Sequence, residues 1–114
     1  VARNELFGPV LSVIRFREEA EAIAIANDSD FGLAAGIWTH DLGAAHRVAE
    51  SLDTGTVWVN TYRALHAAVP FGGGRESGYG RENGMDGLAE FTQAKAIWIE
   101  TSDEPVGDPF VLRT

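Results

Sequence analysis

The stretch from Thr54 to Gly74, TGTVWVNTYRALHAAVPFGGG, limits what this chain can fold into more than any other. Thr56 to Asn60 is a run of β-branched and aromatic residues behind a glycine, the composition of a short buried strand. The strand cannot continue. Asn60, Thr61, Tyr62 and Arg63 carry polar groups that are costly to bury unpaired, and Ala64 to Val69 is apolar without a strand's alternation. Pro70 cannot donate to a ladder, and the glycines after Phe71 let backbone approach backbone. The result is an apolar loop hung from a strand end and tied off by proline and glycine, a form suited to one wall of a small-molecule site.

The rest of the chain supplies a scaffold for that loop. Gly8 and Pro9 forbid helix and favour extended backbone. Val10 to Phe16, apolar and β-branched at nearly every position, predicts a strand covered on both faces. Acidic residues then open a helix at Glu18, where the macrodipole favours them, with Ala22, Ile25 and Ala26 on one face. That helix ends near Asn27, because Asp28, Ser29 and Asp30 favour side-chain-to-backbone turns. Leu33 to Thr39 predicts a second buried strand. Asp41 caps a second helix in which Leu42, Ala45, Val48, Ala49 and Leu52 recur at helical spacing. After the strand at Thr56 and its loop, the glycine-rich residues 72–87 are expected to form a long ordered turn. A third helix follows around Asp86 to Phe91, a last strand at Ala94 to Glu100, and an extended tail over 101–114. The order β-α-β-α-β-loop-α-β predicts the α/β class, a mainly parallel open sheet with helical crossovers. Trp38, Trp58 and Trp98 each stand in a strand run and are expected in the core.

Composition narrows the function classes. With 114 residues, 45% of them hydrophobic and 23% charged, the chain holds one domain's worth of ordinary globular material. Its net charge is −8 and its nine basic residues are scattered, so nucleic acid is not expected as a partner. The absence of cysteine excludes a disulfide framework, a zinc–thiolate site and a thiol nucleophile within these residues. No apolar run is long enough to span a bilayer, so no membrane partner is expected and a cytoplasmic location is. Because the first residue is Val1 rather than methionine, further sequence upstream is expected.

Three rival motifs fail on context. The glycines at 78, 80 and 84 do not follow a strand and open a helix with dinucleotide-binding spacing. His46 and Glu50 lie one helical turn apart but have no further ligands and read as a solvated pair. Ser77, His66 and Asp86 could be drawn as a hydrolase triad, yet no nucleophile elbow surrounds Ser77.

Several segments together resemble the NAD(P)-dependent aldehyde dehydrogenase superfamily: Glu5-Leu6-Phe7-Gly8-Pro9, Phe31 to Gly36, Gly55 to Asn60, Pro70 to Gly73 and Ser77 to Glu82, in the family's order and spacing. The resemblance runs from Glu5 to about Glu100 and covers roughly the last quarter of such an enzyme. It implies that residues 1–93 are the C-terminal part of a catalytic domain and that Ala94 to Glu100 is a strand pairing with a neighbouring subunit in a homo-oligomer. It further implies that Glu5 hydrogen-bonds the nicotinamide ribose of NAD or NADP and that Phe7 lies beside the nicotinamide ring. Arg63, Ala64, Leu65, His66 and Phe71 would surround a small-molecule aldehyde. The family's nucleophilic cysteine, general-base glutamate and cofactor-binding domain lie upstream of the Glu5 motif, so this chain alone is not expected to be active. The competing expectation is a free-standing, noncatalytic α/β module that binds a protein partner through its sheet edges.

Overall fold

The computed structural model describes residues 2–103 together with 107, 108 and 110. Its elements in chain order are α1 (Glu19–Asn27), β1 (Phe31–Gly32), β2 (Ala34–Ile37), α2 (Leu42–Ser51), β3 (Thr56–Val59), β4 (Gly74–Arg75) and α3 (Gly84–Ala89). The centre is a β-α-β unit: β2 and β3 pair in parallel, Ala34 opposite Thr56 and Ile37 opposite Val59, with α2 as the connection. Local chemistry explains the connection. Asp41 N-caps α2, its Oδ1 accepting from the Ala44 N–H at 3.1 Å, and Ala45 on the inner face is buried.

Helix α1 is joined to α2 by polar groups at both ends. Arg47 Nε and a terminal guanidinium nitrogen donate to the two carboxylate oxygens of Glu19 at 3.1 and 3.0 Å. Asn27 Nδ2 donates to the Ser51 carbonyl at 2.8 Å while its Oδ1 accepts from the Asp53 N–H at 2.9 Å. Between them, Ile23, Ala26, Ile37, Val48 and Leu52 line a common apolar hollow of about 490 Å³.

A second ladder was not anticipated: β1 and β4 pair antiparallel, Phe31 opposite Arg75 and Gly32 opposite Gly74. Gly32 and Gly74 have little strand propensity, and side chains help to hold the pair. Arg75 donates through Nε to Asp53 Oδ2 at 2.7 Å and through a terminal nitrogen to the Asn27 carbonyl at 2.9 Å and the Ser29 carbonyl. Ser77 Oγ accepts from the Gly32 N–H at 3.1 Å.

Four sequence expectations need correction. Val10 to Phe16 and Ala94 to Glu100 are not strands in this chain, although the backbone at both places lacks helix and turn. A strand needs a neighbour to receive its ladder, and none of the described residues provides one. The sheet is correspondingly two pairs of strands, one parallel and one antiparallel, where a single mainly parallel sheet was expected. Of the three tryptophans only Trp58 is buried, at 9% exposure against 65% for Trp38 and 94% for Trp98. The third helix starts at Gly84, two residues before Asp86, and ends at Ala89. Most of the expected tail over 101–114 lies outside the described residues. The unpaired ends give the chain a radius of gyration of 22.0 Å, where a compact domain of this length has roughly 13 Å.

Candidate functional site

Strand β3 carries the site. Its alternation turns Trp58 into the protein, where the indole N–H donates to the Ala64 carbonyl at 2.8 Å and ties the following loop back onto the strand. Tyr62 meets Trp58 edge-on with centroids 5.6 Å apart, and Phe71 stacks on it at 6.4 Å with 24° between planes. The far end of the loop is fastened as well. Phe71 and Glu82 exchange both backbone hydrogen bonds at 2.7 Å, and the Gly84 N–H donates to the Ala67 carbonyl at 2.9 Å. The glycine pattern read from the sequence corresponds to a close crossing: a Cβ on Gly55 would lie 1.8 Å from the Gly72 carbonyl oxygen.

The loop and β2 enclose an open hollow of about 450 Å³, lined by Leu33 to Gly36 on one side and by Trp58, Tyr62, Arg63, Leu65 and Phe71 on the other. Among the described residues Arg63 is its one charged lining residue, with the guanidinium carbon 5.4 Å from the centre of the Tyr62 ring. Residue 63 also has φ of +57°, in the left-handed region.

The structure therefore brings together three of the five expected pocket residues, Arg63, Leu65 and Phe71. Ala64 contributes its carbonyl to Trp58. His66 shapes the loop: its Nδ1 accepts from the Ala68 N–H at 3.1 Å, its carbonyl accepts from the Val69 N–H at 3.0 Å, and it is not among the residues lining the hollow. Sequence reasoning missed Tyr62 and assigned Trp58 to the core alone, whereas it is both core and wall. An aromatic four residues beyond Trp58, just past the strand end, was the available signal. Glu5 and Phe7 are elsewhere, around a shallow hollow of about 270 Å³ with Asn4, Gly8 and Ser12. Glu5 is exposed, and Phe7 is 94% exposed with φ of +42°.

The rejected motifs find other employment. Ser77 accepts from a backbone N–H. In the glycine-rich turn, a terminal nitrogen of Arg81 donates to the carbonyls of Gly73 at 2.7 Å and Gly80 at 2.9 Å, so its charge holds loop backbone. Among the described residues no group of three or more His, Asp or Glu is placed to hold a metal, and no helix is long and apolar enough to cross a membrane. The carboxylates with displaced proton affinity lie away from the hollow. Glu19 is held below its ordinary value by the Arg47 guanidinium, and Asp41 by the N–H groups of Ala44 and Gly43.

Comparison with known proteins agrees with this architecture. The family model described as "Aldehyde dehydrogenase family" matches residues 1–97. The chain is 50% identical over 110 residues to (Z)-2-((N-methylformamido)methylene)-5-hydroxybutyrolactone dehydrogenase of Acinetobacter baylyi, covering 96% of this chain and 22% of that protein. The same identity and coverage relate it to betaine aldehyde dehydrogenase of Mesorhizobium japonicum. Its structure superposes on PnpE from Pseudomonas sp. WBC-3 with a TM-score of 0.83 at 39% identity, over 95% of this chain and 22% of that one. The chain thus spans about a fifth of the length of the relatives it matches. With a family match over residues 1–97 and half of its residues identical to those of named dehydrogenases, this α/β chain belongs to the aldehyde dehydrogenase family.

Proposed function

We propose that the chain is the C-terminal part of an NAD(P)-dependent enzyme that oxidises an aldehyde to a carboxylic acid. The observation that carries this reading is the 50% identity over 110 residues to two dehydrogenases. PnpE has also been solved in complex with nicotinamide adenine dinucleotide, which supports NAD as cofactor, with NADP as the other candidate. The balance is aldehyde, water and NAD(P)+ giving carboxylate, NAD(P)H and two protons.

The residues present fit a nicotinamide ribose. A free carboxylate at Glu5 and a free aromatic face at Phe7 border one shallow hollow. Glu5 can accept from two vicinal hydroxyls at once, and Phe7 can lie against a flat ring and fix its pose. Bound NAD(P)+ supplies the hydride acceptor. The loop from Tyr62 to Phe71 forms one wall of the aldehyde's site, with Arg63, Leu65 and Phe71 lining it and Ala64 and His66 holding the loop's shape. With no cysteine in the sequence, a thiol nucleophile would come from outside these residues, and the family resemblance implies the same of the general-base glutamate.

In the complete enzyme Val10 to Phe16 joins a larger, mainly parallel sheet, and Ala94 to Glu100 pairs with a neighbouring subunit. Leu11 at 86%, Val13 at 83%, Trp98 at 94% and Ile99 at 79% exposure support that coverage. The same surfaces favour a second reading, a noncatalytic module binding protein through sheet edges. A cytoplasmic location accords with either.

The test is the absorbance of NADH or NADPH formed by the complete protein on a panel of aldehydes. Turnover that weakens in cofactor use on Glu5→Ala is the expected result. No reduction of either cofactor by any aldehyde overturns the dehydrogenase reading and leaves the module.

A further inference from the structure

We propose that the aldehyde taken by this site carries a second, anionic group, a carboxylate on an apolar body, and that Arg63 receives it. The proposal rests on the dehydrogenase reading above and narrows its substrate class. Its basis is the lining of the hollow beside β3: aliphatic and aromatic residues, the Tyr62 phenol, and Arg63 as the one charge. Among the described residues no carboxylate lines this hollow, in a chain whose net charge is −8. None of the ion pairs among the described residues includes Arg63, which shares this with Arg15, Arg17 and Arg81 but is alone among them in lining this hollow.

The backbone adds a separate observation. Residue 63 sits at φ of +57°, where a Cβ is disfavoured and glycine or asparagine is the low-cost choice. The guanidinium is placed 5.4 Å from the centre of the Tyr62 ring, a ring that is itself braced by Trp58 at 5.6 Å. A guanidinium near an aromatic face, with its planar N–H edges left free, can grip a carboxylate through two parallel hydrogen bonds. The apolar walls take the carbon chain between the aldehyde and that carboxylate. The described lining offers a cationic aldehyde a like charge and no acidic partner, which sets this site apart from what the name of the matched betaine aldehyde dehydrogenase suggests for that relative.

The complete enzyme is assayed with ω-oxo acids, succinic semialdehyde and its longer homologues, against their methyl esters, which keep size and lose charge. For wild type, kcat/KM is expected to favour an acid over its ester by about ten- to a hundredfold, the worth of a charge-assisted pair. In Arg63→Met, which keeps the stem and removes the charge, that ratio falls to near one. In Arg63→Lys, which restores charge without the planar fork, it lies between. The Lys variant keeps the test valid if the Met variant loses stability. Equal use of acid and ester by wild type, or a ratio unmoved by Arg63→Met, overturns the proposal. Failure of the underlying dehydrogenase reading has a different signature, no reduction of NAD(P)+ by acid or ester.

Discussion

The side-chain amide of Asn60 pairs with the backbone of Thr39 in both directions, Oδ1 accepting from the Thr39 N–H at 2.9 Å and Nδ2 donating to the Thr39 carbonyl at 2.8 Å. Its own N–H donates to the Ile37 carbonyl at 2.7 Å. One side chain thus takes the place of a peptide group and extends the parallel β2–β3 ladder beyond Val59, while its φ of +54° turns the chain out of the sheet. The direction in which Tyr62 and Arg63 leave the strand depends on this residue.

Asn60→Ala is therefore expected to lower the stability of the complete enzyme by about 1–3 kcal/mol, from two lost hydrogen bonds and a left-handed alanine. Asn60→Gly separates the two causes, because it keeps the turn and loses only the bonds. Thermal melting orders them wild type, then Gly, then Ala. An Ala variant that melts with wild type would remove Asn60 from this role.

Backbone crossing at Gly55 gives a paired test. A methyl group there would overlap the Gly72 carbonyl oxygen at 1.8 Å, whereas one on Gly74 would meet nothing within 4 Å. Gly55→Ala is expected to cost about 3 kcal/mol or more, through forced movement of one loop against the other, and Gly74→Ala less than about 1 kcal/mol. Urea unfolding midpoints decide between this contrast and a common glycine effect.

How much of this could be read beforehand differs by element. The β2–α2–β3 unit was legible because its signals are local: apolar spacing from Leu42 to Leu52, Asp41 at the cap, and β-branched residues at 56–59. The β1–β4 ladder was not, because Arg75 sets it by reaching Asp53 and two carbonyls more than forty residues back in the chain. Val10 to Phe16 shows the converse, strong β-propensity without a partner, since propensity reports fitness for a sheet and cannot supply its neighbour. At the site, the strand, loop and glycines marked the wall from Trp58 to Phe71. The aromatic contacts through Tyr62 depend on how the loop folds back, which the Trp58 indole bond to Ala64 decides.

Acid is expected to loosen the joint between α1 and α2. Glu19 lies below its ordinary 4.5 in the folded chain through Arg47, and Asp41 below its ordinary 3.8 through the helix N–H groups. In both cases the unfolded chain binds the proton more readily. Their stabilisation is thus fully present above the unfolded values and lost as pH falls through the lower folded ones. Melting temperature followed from about pH 6 down to pH 3 should fall less steeply in Arg47→Met, which starts less stable but has less to lose. An identical slope in the two proteins would show that the Glu19–Arg47 pair contributes nothing to the acid response.

The apolar runs that none of the described residues covers allow a prediction whose sign depends on context. Leu11 and Val13, at 86% and 83% exposure, stand on a stretch with strand composition and free backbone groups. In the 114-residue chain alone they invite edge-to-edge association, and Leu11→Lys with Val13→Lys should raise the monomer fraction measured by light scattering. In the complete enzyme the same residues are proposed to be buried in the larger sheet. The same double substitution should then cost several kcal/mol or abolish assembly, because two ammonium groups enter an apolar interior without partners. Opposite effects in the two settings would place this run inside the intact enzyme. Tolerance of both lysines by the complete protein, with melting unchanged, would mean that the run is a surface there too, and partner binding through the sheet edge would become the better account of it.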